Sequence, residues 1–317
     1  METNSKYAVL TSCSGNYKQY MNVFLNSLDF CGHTHDVHVI TVDMDEEYLK
    51  KALDTKWTFK LFTHKRERKD FEQFESYNSL MLTSKRCRYP ALEEYSEPYD
   101  VMCLIDIDMM IVNNFMKFFE LVDGTDMIIG CNERFKWPLD RYVLKGYDFP
   151  KIYMDWMICN APTLFSPVHS KELLKAMIKC SRELTNRDGE YPSDLFTMNV
   201  ALWVAGATDR VVMLPAYAWT GVHLTYTDIT TRIMKKGGQK WVSWCGEPVY
   251  IIHGKWDRNS TAEQAFKNQQ KRYNELNLSE DVRKKLNGTV NSTIKQIQNE
   301  FKFFNTECKL KLEQKDG

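Results

Sequence analysis

The chain has 317 residues, 43% hydrophobic and 26% charged, enough for a sizeable core in one large α/β domain or one domain with an appendage. Lys+Arg and Asp+Glu both number 42, so no global field recruits nucleic acid or an anionic membrane, and only a local basic pocket remains as an option. Nine scattered cysteines without a C-x-x-C pair argue against a zinc site or a disulfide frame and fit free thiols in a reducing compartment. Met1–Ser5 carries no signal-peptide pattern, and no apolar run approaches about 18 residues, so the expectation is a cytoplasmic protein without a membrane span.

Lys6–Thr11 reads as a first strand. Ser12–Lys18 is a polar loop containing Gly15, and Gln19–Leu28 has helical spacing. Val37–Val42 is a second strand, and Thr58–Phe62 is placed as a third. This alternation points to βαβ units and a mostly parallel sheet, whose ligands sit outside the carboxyl ends of the strands. His64–Glu75 is dense in charges of both signs and reads as a solvated helix or loop. Tyr77–Tyr95 reads as a helix with Lys85, Arg86 and Arg88 close together; a solvated basic face and a phosphate contact are equally compatible with it.

Tyr99–Asn114 (YDVMCLIDIDMMIVNN) is a continuous apolar run interrupted only by Asp106 and Asp108. Such a run suits a parallel strand covered on both faces. Two buried anions are costly without compensation. Side chains at i and i+2 share a face, so a divalent cation could compensate both. The alternative is that the pair caps the following turn. Met127–Gly130 is a further strand, and Arg134–Tyr153 is a Pro/Gly/aromatic-rich stretch suited to an ordered active-site loop. Met154–Phe165 reads as a strand pair or strand edge, and Lys171–Leu184 as an amphipathic helix. Ser193–Val204 reads as a capped helix, which makes capping the plain structural role for Asp194. Val211–Leu214 and Val249–His253 are strands. Taken alone, His253 is a structural histidine at a strand end, and Gly254 allows close backbone approach. From Ser260 the chain is polar and helical: Thr261–Leu276, Ser279–Leu286 and Asn291–Phe304.

These pieces meet the needs of sugar transfer from a nucleoside diphosphate, where a divalent cation stabilises the leaving diphosphate and Lys or Arg holds its remaining charge. Over roughly Lys6–Asn259 the sequence resembles the glycogenin-like retaining glycosyltransferases (glycosyltransferase family 8-like). VLTSCSGNY looks like their nucleotide-binding opening, which puts Thr11 and Tyr17 on the base. TSKRCRYPALEEY resembles the helix carrying a basic residue to the donor, with Arg86 as the match. LIDIDMMIVNN is similar to the D-x-D strand, which implies metal binding by Asp106 and Asp108. ICNAPTLFSP resembles the N-S-G strand, with Asn160 near the donor sugar. SDLFTMN resembles the D-Q-x-x-x-N helix start, with Asp194 near the reacting sugar. VYIIHGKWD resembles the H-x-x-G-x-x-K-P-W motif, with His253 as third metal ligand and Lys255 on the diphosphate. The departures are a shortened last motif, Ala161-Pro162 in place of Ser-Gly, and Leu195 in place of Gln. They fall where donor sugar and acceptor meet.

The resemblance implies a GT-A fold: a single Rossmann-like α/β domain over residues 1–259 with a helical C-terminal extension over 260–317. It implies a hexosyl- or pentosyltransferase using Mn²⁺, or alternatively Mg²⁺, and a UDP-sugar, with retention of configuration. Asp155, Asn160 and Asp194 are the candidate sugar or acceptor contacts. The acceptor, glycan or protein, is sought at Arg134–Tyr153 and Trp219–Tyr226; a homodimer is one option, and no nucleic acid is expected. The competing readings are a nucleotidyltransferase, disfavoured because a Gly-rich basic loop after the first strand is missing, and a non-catalytic nucleotide-sugar-binding protein.

Overall fold

A computed structural model describes residues 6–67, 87–133, 137–154, 157–214, 219–220, 231–235, 238–242, 248–276 and 278–307. The strands used below are β1 (Tyr7–Ser14), β2 (Asp36–Val42), β3 (Leu61–Arg66), β4 (Val101–Leu104), β5 (Met109–Ile111), β6 (Ile128–Glu133), β7 (Met157–Phe165), β8 (Val211–Leu214), β9 (Trp219–Thr220) and β10 (Ile251–His253). The helices are α1 (Lys18–Phe30), α2 (Glu46–Asp54), α3 (Arg88–Tyr95), α4 (Lys117–Val122), α5 (Lys171–Glu183), α6 (Asp194–Val204), α7 (Asn259–Glu275) and α8 (Glu280–Lys302). The chain divides into two compact units. One comprises Met1–Lys18, Thr34–Ile107 and Met116–Leu214, the other Gln19–His33, Asp108–Phe115 and Pro215–Gly317.

The first unit holds a seven-stranded sheet in the order β8-β6-β7-β4-β1-β2-β3. β7 runs antiparallel to both its neighbours, and every other pairing is parallel. β1 is an interior strand, and all of it beyond Tyr7 is buried, as a strand covered on both faces requires. Ala8, Leu10, Met102 and Leu104 join Tyr89 and Leu92 of α3 and Leu173 and Met177 of α5 in one core cluster. Burying a side chain of this size contributes about 1.5–3 kcal/mol. The aromatic loop expected over Arg134–Tyr153 is packed over its described part, since Trp137, Leu139, Tyr142 and Phe149 belong to the same cluster. Asn199 of α6 clamps β7: its Oδ1 accepts from the Ile158 N–H at 3.0 Å, and its Nδ2 donates to the Ile158 carbonyl at 2.9 Å. Just beyond, the pairing of β7 with β6 shifts register between Ile158 and Thr163, where Ala161–Pro162 is cis.

In the second unit, β10 pairs in parallel with β9 and antiparallel with β5, matching His253 to Met109 and Ile251 to Ile111. Ser27 of α1 fixes β5 by accepting the Ile111 N–H at 3.0 Å. The end of the chain docks on α1 as well: Asn26 Nδ2 donates to the Phe304 carbonyl at 2.6 Å, and Tyr20 meets Phe301 edge-on.

Several local expectations are revised. The apolar run Tyr99–Asn114 is two strands. β4 ends at Leu104, a turn carries Asp106 to Asp108, and β5 joins a different sheet. A carboxylate pair needs partners that a continuous two-face-buried strand cannot supply. The third strand is Leu61–Arg66, so it takes in the start of the charge-dense segment. α2, capped by Asp45 accepting from the Tyr48 N–H at 3.0 Å, and the short α4 go beyond the sequence reading. The last two expected helices are one, α8, which runs through Gly288. Residues 68–86 and 221–230 lie outside the described residues, and with them most of the Tyr77–Tyr95 helix and of Trp219–Tyr226.

The loop after β1 makes a tight approach. Gly15 opens a 3₁₀ turn, Gly15–Tyr17, and a Cβ built on it collides with the Asp43 carbonyl oxygen. Asp43 follows β2 and itself has φ 52°. The two loops therefore meet backbone to backbone at the carboxyl ends of adjacent parallel strands, the region where α/β sheets bind ligands. Gly15→Ala is expected to destabilise by about 1–3 kcal/mol, read as a lower urea midpoint at unchanged slope. An unchanged midpoint would mean the loop moves freely.

Candidate active site

The D-x-D segment spans the dividing line between the units, which falls after Ile107. On the first unit's side Asp106 is 3% exposed. Its partner is Arg88, the first residue of α3 and 1% exposed. Arg88 Nη1 lies 2.7 Å from Asp106 Oδ1 and donates to the Ile105 carbonyl at 2.9 Å. Its Nη2 donates to Asp194 Oδ2 at 2.9 Å. Burial opposes the guanidinium charge, but Asp106 and then Asp194 outweigh it and raise the Arg88 pKa further. Two carboxylates from distant parts of the chain are thus joined through one planar fork, a geometry Arg provides and Lys does not.

Asp194 is the first residue of α6, and the helix is capped by Ser193 without a side-chain bond. The Asp194 carboxylate, next to that cap, has the Arg88 guanidinium as a partner. Its backbone is held too, since Tyr89 Oη donates to the Asp194 carbonyl at 3.1 Å.

On the second unit's side, His253 closes β10 and sits opposite β5. His253 Nε2 is 3.2 Å from Asp108 Oδ1. The Gly254 N–H donates to the Asp108 carbonyl at 2.9 Å. Gly254 has φ 133°, a conformation that favours glycine, so this turn brings the backbone onto the D-x-D segment as its sequence suggests. The His253 carbonyl accepts from Trp256 Nε1 at 3.2 Å, and Trp256 is buried. Asp106 and Asp108 are one residue apart in the chain. With His253 they form a group whose ligand atoms, one per residue, lie within 4.8 Å of one another. Two carboxylate oxygens and an imidazole nitrogen form a donor set that fits a divalent cation.

The other expected residues are distributed as follows. Thr11 lies inside β1, fully buried, and among the described residues its Oγ1 has no hydrogen-bond partner. Tyr17 ends the 3₁₀ turn and is also buried. Lys255 follows Gly254 and is half-buried. The backbone of Asn160 lies in the irregular part of β7. Arg86 and Asp155 lie outside the described residues. Arg88 is the residue that sequence reasoning passed over: it stood in the basic cluster, but spacing to Tyr95 favoured Arg86. The signal available was Arg at the start of a helix in a chain with two apolar-flanked aspartates that need a cation.

The chain matches no protein-family profile, and no curated protein matches it by sequence. Among solved structures it is similar to the galactosyltransferase LgtC in complex with donor and acceptor sugar analogues, at 15% identity and a TM-score of 0.53, covering 88% of this chain and 99% of that one. It is also similar to the apo structure of WbbM, a bifunctional glycosyltransferase, at 12% identity and a TM-score of 0.52, covering 84% of this chain. The chain spans about half the length of WbbM. The architecture is the GT-A fold, an α/β fold with a mostly parallel seven-stranded central sheet. Among the described residues no helix is long and apolar enough to cross a membrane.

Removing Arg88 takes a shared guanidinium from two buried carboxylates. Arg88→Met is expected to cost about 3–5 kcal/mol, measured by urea denaturation. Asp194→Asn should cost less in the Arg88→Met background than in the wild type, because the charge it removes no longer has its guanidinium partner. Additive costs in that double-mutant cycle would show that the pair is not coupled.

Proposed function

We propose that this protein is a metal-dependent glycosyltransferase that moves a hexosyl or pentosyl group from a UDP-sugar to a glycan or protein acceptor, with retention of anomeric configuration. The observation that carries the reading is the gathering of Asp106, Asp108 and His253 on a GT-A fold. In this reading these three residues hold Mn²⁺, with Mg²⁺ as the substitute. Bound there, the ion would supply Lewis-acid stabilisation to the leaving diphosphate.

The protein's own groups do the rest. Thr11 and Tyr17 belong to the nucleotide subsite, on β1 and its following turn. Arg86 and Lys255 neutralise diphosphate charge. Arg88 serves differently. With its donors directed to Asp106, Asp194 and the Ile105 carbonyl, it is a positioning residue that keeps one metal ligand and one sugar-side carboxylate in register. Asp155, Asn160 and Asp194 orient sugar or acceptor.

The ion pair to Arg88 also bears on mechanism. A buried carboxylate already sharing its charge with a guanidinium is a poor nucleophile, so Asp194 is a positioning group in this reading. The acceptor oxygen then attacks the anomeric carbon on the face from which the diphosphate departs. The C–O bond to phosphate breaks as the C–O bond to acceptor forms, and the departing phosphate oxygen takes the acceptor proton.

Thermal unfolding against a panel of nucleotide sugars, with and without Mn²⁺, tests the assignment. A donor at about 100 times its Kd stabilises by about 2.7 kcal/mol, a rise of about 4 °C for a chain of this size. The rise should require Mn²⁺ and be lost in Asp108→Asn and His253→Gln, together with Mn²⁺-dependent donor hydrolysis. No shift with any donor would overturn the transferase reading. A shift without hydrolysis or transfer would favour the nucleotide-sugar-binding protein. A covalent sugar found on Asp194 or Asp155 by intact-mass and peptide analysis would overturn the front-side mechanism alone.

A further inference from the structure

Away from the D-x-D segment, in the first unit, four polar side chains form a continuous hydrogen-bonded chain across β2, β3 and the approach to β4. Tyr99 Oη donates to Asp36 Oδ2 at 2.9 Å. His38 Nε2 lies 2.7 Å from Tyr99 Oη, and His38 Nδ1 lies 2.9 Å from His64 Nε2. His38 and Tyr99 are about 5% exposed. His64 is half-buried and stacks on Tyr95 with ring centroids 3.9 Å apart.

The proton positions follow from the acid end. Asp36 as a carboxylate only accepts, so the Tyr99 hydroxyl hydrogen points to it. Tyr99 Oη must then accept from His38, which puts the His38 hydrogen on Nε2 and leaves Nδ1 bare. His64 must in turn donate from Nε2. Both rings are fixed as neutral Nε2–H tautomers. A first added proton can go only to His64 Nδ1, which keeps the chain intact. A second, on His38 Nδ1, would set two N–H donors against each other at 2.9 Å and break it. Within the described residues the pair therefore accommodates one extra proton.

We propose that the Asp36–Tyr99–His38–His64 chain is an acid-sensitive latch that fastens edge strand β3 to the sheet and loosens it below neutral pH. β3 ends the order of the sheet among the described residues. Its bonds to β2 beyond the ladder run through this chain and through Thr41 Oγ1, which donates to the His64 carbonyl at 3.4 Å. Among the described residues, the charged and titratable groups facing the pair are these. β2 contributes Asp36. β3 contributes Arg66, paired with Glu94 of α3 at 2.5 Å. Tyr95 of α3 accepts from Arg66 at 3.4 Å, and Tyr99 precedes β4. Arg66 opposes a charge on His64 and Glu94 favours it, while burial disfavours it most. Burial, and then His64, bring His38 down to about 4.

The sign follows. Histidines in an opened edge take up protons near pH 6.5, whereas His38 in the closed edge holds out to about 4. Above about pH 7.5 neither state is protonated and pH has no effect. Between 6.5 and 4 the open form binds more protons, so opening becomes easier as the pH falls. His35, held at about 4 chiefly by burial, acts in the same direction on global unfolding, so a global melting curve does not isolate the latch.

Native-state hydrogen exchange does isolate it. After correction for intrinsic exchange, protection of Leu61–Arg66 amides should fall at least about tenfold from about pH 7.5 to about pH 5 relative to amides of β1 and β4. The double variant His38→Gln/His64→Gln has no titrating ring and should show less than a twofold change. Long-range ¹H–¹⁵N spectra of the wild type need no variant. They should show both rings as neutral Nε2–H tautomers at about pH 7.5, with His64 protonating first. An Nδ1–H tautomer on either ring, His38 protonating first, or β3 protection that tracks β1 would overturn the proposal.

Discussion

One buried cation organises the candidate site. Arg88 has almost no access to water, and its fork reaches Asp106, Asp194 and the Ile105 carbonyl at 2.7–2.9 Å. Arg88 starts α3, and its partners come from the turn after β4 and from the start of α6, the latter 106 residues away. Any one of the charges alone would be strongly disfavoured in that environment. Together they fix where the D-x-D segment leaves the large sheet and where α6 begins. The fold around them is built so that each charge finds its counterpart.

The second constraint is the shortness of the D-x-D turn. Within a few residues the chain ends β4, presents Asp106, presents Asp108 and enters β5 of another sheet. The Gly254 N–H bonded to the Asp108 carbonyl and His253 Nε2 beside the Asp108 carboxylate tie that turn to the end of β10. Asp106 thus has a guanidinium partner and Asp108 an imidazole one. Such a donor set could hold a divalent ion, which a plain turn cap would not require.

Elsewhere the molecule uses polar groups to fasten secondary structure. Asn199 binds both backbone groups of Ile158, Asn26 holds the end of the chain just past α8, and Asp45 caps α2. The chain from Asp36 to His64 belongs to this class but differs in one respect. Its donors and acceptors are assigned by the acid at its end, so its integrity depends on proton count as well as on packing.

The amino-acid sequence by itself determined much of the first unit. β1, β2 and β8, the helices α5 and α6, and the mostly parallel sheet follow from apolar runs and helical spacing, as does α1 in the second unit, because burial is local information written in residue type. Asp106 and Asp108 stood out for a related reason, since charges set in an apolar run need partners, whereas His253 taken alone read as structural and stood out only through the motif resemblance. The sequence could not show that Tyr99–Asn114 breaks into strands of two sheets, since an apolar run looks the same whichever neighbour it pairs with. It could not single out Arg88 as the cation shared by Asp106 and Asp194, because that assignment depends on which side chains meet across distant segments. Side-chain partnership over 17 residues to Ile105 and 106 to Asp194 is a property of tertiary packing, and only the folded chain decides it.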